Sequence, residues 1–163
     1  MAATVQIVEK NGAGGTTTDK TGGTIRLKKA DNSAVDLINP LVKPAAGSDW
    51  GFEKWLRLNV TGGAYTQITN IRSYTDGSSG LGVGINLWAK AVAAYATPAL
   101  GTASTGYVNA FTLTSGAPLS LGAGPFTGAG EKGDHMVLLP EVTSAAAGGL
   151  TPAETLTFAW DEI

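Results

Sequence analysis

The feature that most constrains this chain is a period-two alternation that recurs in short stretches separated by glycine-rich turns. It is clearest from Trp50 to Val60. There Phe52, Lys54, Leu56, Leu58 and Val60 fall on one side, and Glu53, Trp55, Arg57 and Asn59 on the other. Successive strand side chains point to opposite faces, so this pattern predicts a half-buried strand. Lys54 and Trp55 are each out of character for their face.

Similar runs predict further strands. Thr4–Lys10 ends at Asn11-Gly12, and the glycine-rich residues 12–23 read as a loop or mobile stretch. Thr24–Lys28 alternates again. The turn residues Asp31-Asn32 suggest that Ala34–Ile38 pairs back as a short hairpin. Tyr65–Thr75 and Val83–Ala91 follow, the latter with an alanine-rich end that has helical propensity but no cap before it. Tyr107–Thr114 reads as one strand. Met136–Val142 reads as another, with Pro140 arguing for an edge or a bulge. Thr155–Trp160 closes the series, with Leu156, Phe158 and Trp160 facing a core, and a strand so near the last residue predicts no tail domain.

Seven to nine short strands without helical periodicity predict a single all-β domain over 1–163, an antiparallel β-sandwich or jelly roll with long extended loops or arms. A length of 163 residues suits one core. Glycine, at 23 residues, is about twice its usual share.

Charge is unevenly spread. Charged residues make up 15% of the chain, yet none occurs from Ala91 through Gly130. That stretch carries Tyr95, Tyr107, Phe111 and Phe126 among Gly, Ala, Ser and Thr. Forty uncharged residues suit burial against another protein, where charge is depleted. They equally suit a long loop over the domain's own core. Tyr95, Tyr107 and Phe126, together with Trp55, are the candidate partner contacts.

A net charge of −2 and no dense basic cluster argue against direct nucleic-acid binding. No run of about 20 apolar residues predicts a membrane span, and the N-terminus lacks the features of a signal peptide. The chain has no cysteine, so thiolate metal sites and thiol nucleophiles are excluded. His135 is the only histidine and reads as a surface or strand-start residue. It is too little for the common zinc sites, and no Gly-x-Ser-x-Gly element accompanies it. The aspartates at 19, 31, 36, 49, 76 and 134 stand in turn contexts, where their side chains bond backbone amides. The expectation is no catalytic residue, no cofactor, no metal and no enzyme.

Phe52-Glu53-Lys54-Trp55-Leu56-Arg57-Leu58, Ile68-Thr69-Asn70-Ile71-Arg72 and the closing run from Glu154 to Ile163 resemble small structural proteins of tailed-bacteriophage particles, the head decoration or cement type above all. The likeness runs from Ile25 onward. It implies a β-sandwich, jelly-roll or barrel body that binds the outer capsid of the virion, assembled in the host cytoplasm. It implies the major capsid protein and copies of the chain itself, as dimer or trimer, for partners. By the same resemblance, residues 1–23 and 91–130 would be the reaching arms. A tail or baseplate component resembles it as well. Two other readings stay open. A carbohydrate-binding module or adhesin predicts Trp55 or Trp88 exposed beside polar groups. A small hydrolase predicts converging acids, or His135 beside an acid and a serine.

Overall fold

The computed structural model describes residues 2–148 and 153–163. Among them are ten strands and one 3-10 turn: β1 (Ala3–Asn11), β2 (Thr16–Asp19), β3 (Ser48–Trp50), β4 (Lys54–Gly63), β5 (Ile68–Tyr74), β6 (Ile85–Val92), β7 (Val108–Asn109), the 3-10 turn Ala110–Thr112, β8 (Leu119–Gly122), β9 (Gly130–Thr143) and β10 (Thr157–Glu162). The domain is all-β, with two antiparallel sheets. The larger has the order β2-β1-β4-β9-β6-β7, with β3 pairing β9; the smaller is β10-β5-β8. No helix among the described residues is long and apolar enough to cross a membrane.

The alternation read from Trp50–Val60 sets the core. Leu56, Leu58 and Val60 of β4 join Leu87 and Ala89 of β6 and Met136 and Leu138 of β9. Ile68 and Ile71 of β5 and Leu121 of β8 complete the same cluster from the smaller sheet. Burial of so many aliphatic side chains is the main force holding the sheets together, at about 1.5–3 kcal/mol for each. Trp55, Arg57 and Asn59 lie on the opposite face of the larger sheet, as the period requires.

Pro140 sits in a central strand, because β9 has β6 on one side and β3 and β4 on the other. The bulge, not the edge, explains it. Trp50 pairs Glu141 and Lys54 pairs Leu138, so residues 51–53 loop out opposite Pro140. Gly51 N–H donates to the Pro140 carbonyl at 3.0 Å, and the ladder there asks for no N–H in return.

Several local expectations need correction. Thr24–Lys28 and Ala34–Ile38 form no strand and no hairpin; isolated bonds take the place of a ladder, with Phe52 N–H donating to Lys28 O at 2.9 Å and the Asp36 carboxylate accepting Ile38 N–H at 2.9 Å. Tyr107–Thr114 is not one strand either. Two residues pair with β6, and then Asn109 caps the 3-10 turn by accepting the Phe111 N–H at 2.9 Å. Residues 12–23, read as a loop, contain β2. Of the first 23 residues, described from Ala2, those in β1 pair with β4 from Ala3↔Gly63 to Lys10↔Trp55, and those in β2 pair back on β1.

Candidate functional site

The side of the larger sheet facing away from the smaller sheet is covered by the first half of the uncharged stretch, residues 93–107. Three anchors hold this cover. At one end the Tyr95 ring meets Trp55 edge-on at 5.3 Å and lies 5.8 Å from His135. Its hydroxyl donates to the Gly12 carbonyl at 2.6 Å, and Lys10 Nζ stands 5.1 Å from the ring centre. In the middle, Glu53 N–H donates to Ala99 O and Gly101 N–H to Gly51 O, each at 2.9 Å. Pro98 is buried there. Gly101 approaches Leu139 so closely that a Cβ would stand 2.4 Å from a leucine methyl. At the far end the Tyr107 hydroxyl donates to Glu53 Oε1 at 2.5 Å, with Lys90 Nζ 4.1 Å from the Tyr107 ring centre.

Glu53 joins the anchors. Besides Tyr107 it accepts Trp55 Nε1 at 3.0 Å, Lys90 Nζ at 3.3 Å and Ala99 N–H at 3.3 Å. Burial pushes its carboxyl up, but the hydrogen bonds from Tyr107, Trp55 and Ala99 and the Lys90 charge outweigh it and hold it below the usual range. The same burial, with Glu53 beside it, drives the Tyr107 phenol far above its usual range. Glu53 therefore stays ionised with its lone pairs occupied. It acts as a clamp and has no proton to donate at neutral pH.

Three of the four expected contact residues thus meet on one face. Trp55 is 3% exposed, sealed by its own chain beneath Tyr95 and His135. Tyr95 and Tyr107 are half-buried anchors. Phe126 lies elsewhere. It exchanges backbone hydrogen bonds with Ile68 at 2.8 and 2.9 Å and lines an open cleft of about 400 Å³ with Arg57, Glu131, Lys132 and Asp134. His135 is no surface residue: it is fully buried within β9. Its Nδ1–H donates to Val92 O at 3.2 Å, and Nε2 has no partner among the described residues. Burial, then the Arg57 charge, lowers its pKa, so it is neutral at neutral pH.

On the same face, Glu141 accepts Ser48 Oγ at 2.5 Å, Trp88 Nε1 at 2.8 Å and Asn86 Nδ2 at 2.9 Å. Burial opposes its ionisation, and these three bonds overcome that and lower its pKa. No group of three or more His, Cys, Asp or Glu side chains among the described residues is placed to hold a metal ion.

With its aromatic rings turned inward, the cover presents a small, uncharged outer surface. Ala93, Ala94, Ala96, Thr97, Ala99, Leu100, Thr102, Ala103 and Thr105 are exposed, and Val108 continues it along β7. The lack of charge was legible in the sequence. Which residues face out was not, because that depends on partners of Tyr95 and Tyr107 far away in the chain. No family model, curated protein or solved structure matches this chain.

Proposed function

We propose that this chain is a non-enzymatic structural protein of a tailed-phage particle, of the head decoration or cement type. In this reading it is a β-sandwich of jelly-roll type that sits on the outer capsid of the virion and bridges major capsid protein subunits, with further copies of itself beside it. The observation that carries the reading is the cover over residues 93–108. It is an uncharged outer surface of small side chains, fastened to the sheet at three places. Interface cores are depleted of charge, and small side chains lose little rotamer freedom on contact. Many copies would multiply modest contacts through avidity.

Carbohydrate binding has less to stand on. Trp55 is buried, and the polar groups beside Trp88 are already engaged, since its own indole N–H and the Asn86 amide both donate to Glu141.

The test is location and consequence. Immunogold labelling of intact virions should place the chain on heads, and heads assembled without it should release DNA at a lower temperature. Label confined to tails, or heads of unchanged thermal stability, rejects the reading.

A further inference from the structure

Three lysine side chains from different parts of the chain converge beneath Asn32, Ser33 and Ala34. Asn32 O accepts Lys54 Nζ at 2.9 Å, Ser33 O accepts Lys20 Nζ at 2.9 Å, and Ala34 O accepts Lys28 Nζ. Lys54 and Lys20 each have Glu9 within ion-pair distance. Lys28 has no such carboxylate among the described residues, although it is only 2% exposed. An unpaired ammonium withdrawn from water is costly. Instead of a carboxylate, Lys28 Nζ contacts Oδ1 of the Asn32 carboxamide, four residues along the chain. The same Oδ1 accepts the Ala34 N–H at 3.1 Å. Lys54 links this contact to the fully buried Glu9, because its Nζ donates both to Asn32 O and to Glu9 Oε1. Glu9 Oε2 has no hydrogen-bond partner among the described residues. The neighbouring carboxylates have none to spare: Asp31 accepts Asn11 Nδ2 and Gly12 N–H, and Asp36 accepts Ile38 N–H, Asn39 N–H and Asn39 Nδ2.

We propose that Lys28 and Asn32 join in an intramolecular isopeptide bond, formed by the chain itself with Glu9 as the proton carrier. The Lys28 amine attacks Asn32 Cγ, and the Nζ–Cγ bond forms. Glu9 Oε2 takes a proton from Nζ and gives it to Nδ2. The Cγ–Nδ2 bond then breaks and ammonia leaves. Nothing is oxidised or reduced, and no added reactant is needed. Each requirement has a physical source. Contact between Nζ and the carboxamide replaces a bimolecular encounter. Burial, then the Lys54 charge, lowers the Lys28 pKa against the opposing pull of Asp36 and Glu9, which favours the neutral amine that attacks. Ala34 N–H already donates to the oxygen on which negative charge develops. The reaction also removes the unpaired buried charge, since the amide nitrogen it leaves is neutral. Its product is a ring closed from Lys28 to Asn32, at the base of the exposed segment that carries Leu37 and Ile38.

The test is the intact mass of the purified full chain, read under denaturing conditions after incubation at neutral and at alkaline pH. The expected result is a species lighter by one ammonia that accumulates faster at alkaline pH. Its tryptic digest should stay uncut after Lys28, and fragmentation should link Lys28 to Asn32. Asn32→Ala should keep its full mass. Glu9→Gln, with its fold certified by circular dichroism, should form the bond at least about a hundredfold more slowly, the lower range for loss of a general acid–base group. A wild-type chain of full mass at every time overturns the proposal, whatever the variants do. So does an ammonia loss that Lys28→Met retains, or a light species still cut after Lys28, because either result marks a succinimide at an asparagine. Bond formation in Glu9→Gln at the wild-type rate overturns the role given to Glu9.

Discussion

Lys54 Nζ and Glu9 Oε1 meet at 3.1 Å with both side chains fully withdrawn from solvent. Both stand on the core side of the larger sheet, because Glu9 pairs with Leu56 and Lys54 with Leu138. The loop at Asn32 closes over them. Lys20 adds a charge 3.7 Å from the other Glu9 oxygen, too far for a hydrogen bond. Removing one partner of a buried pair leaves a desolvated charge, which costs about 3–5 kcal/mol. Lys54→Met should lower the urea unfolding free energy by about that much. Glu9→Leu/Lys54→Met should lose less than the single variant, because no buried carboxylate is abandoned.

His135 should make the fold acid-sensitive in a window above that of the carboxylates. Its folded pKa is depressed by burial and by Arg57, with Lys10 adding to this and the Val92 carbonyl and Glu131 opposing it. As pH falls below about 6.5 the unfolded chain takes up a proton that the folded chain refuses. Stability is therefore full above that pH and is lost progressively as pH falls toward the lowered value. Glu53, Glu131 and Glu141, all held below 4.5, contribute their losses further down. Denaturant melts of wild type and His135→Phe between pH 7 and 5 should show a slope in the first and little in the second. Parallel slopes would remove His135 from the account.

Strands β1, β4, β5, β6, β9 and β10 were legible in the sequence because alternation is local; the short strands β2 and β8 were not. Leu56, Leu58 and Val60 face the core as the pattern demands. What was not legible depends on distance along the chain. Trp55 looked free for a partner because its cover, Tyr95, comes forty residues later. Glu53 carried no signal at all, since Lys90, Ala99 and Tyr107 reach it from separate segments. His135 follows Gly133-Asp134, which reads as a strand start, but β9 already begins at Gly130. The loop after Asp31-Asn32 has hairpin chemistry, and lysines from three places impose another path.

Tyr107→Phe should loosen the cover from one end. The lost bond runs from a half-buried hydroxyl to an ionised carboxylate, a class that contributes about 1.5–3 kcal/mol. Lys90 and Trp55 still satisfy Glu53, so the loss should fall near the lower end. The local effect should be larger than the global one. Hydrogen exchange at Gly101 N–H, bonded to Gly51 O, and at Ala99 N–H, bonded to Glu53, should quicken. Exchange within β9 should stay near wild type. Equal acceleration in both places would mean that the cover does not open as a separate unit.

Two glycines should respond in opposite directions to the same substitution. Gly51 lies at the interruption between β3 and β4, where a Cβ would stand 2.6 Å from the Pro140 ring and 2.8 Å from the Lys28 carbonyl. Neither neighbour can yield, because the ring is part of a central strand and the carbonyl accepts Phe52 N–H at 2.9 Å. Gly51→Ala should therefore cost about 1–3 kcal/mol, the usual penalty for overpacking. It should also disturb the loop that carries Leu37 and Ile38, since Leu41 is the third atom group in the way. Gly14 lies in the turn between β1 and β2, has no left-handed φ, and meets nothing within 4 Å of an added Cβ. Gly14→Ala should stabilise by about 0.4–1 kcal/mol by restricting the unfolded chain. Thermal melts of the two variants side by side should move apart, and a fall in both would show that the β1–β2 turn needs glycine for a reason other than space.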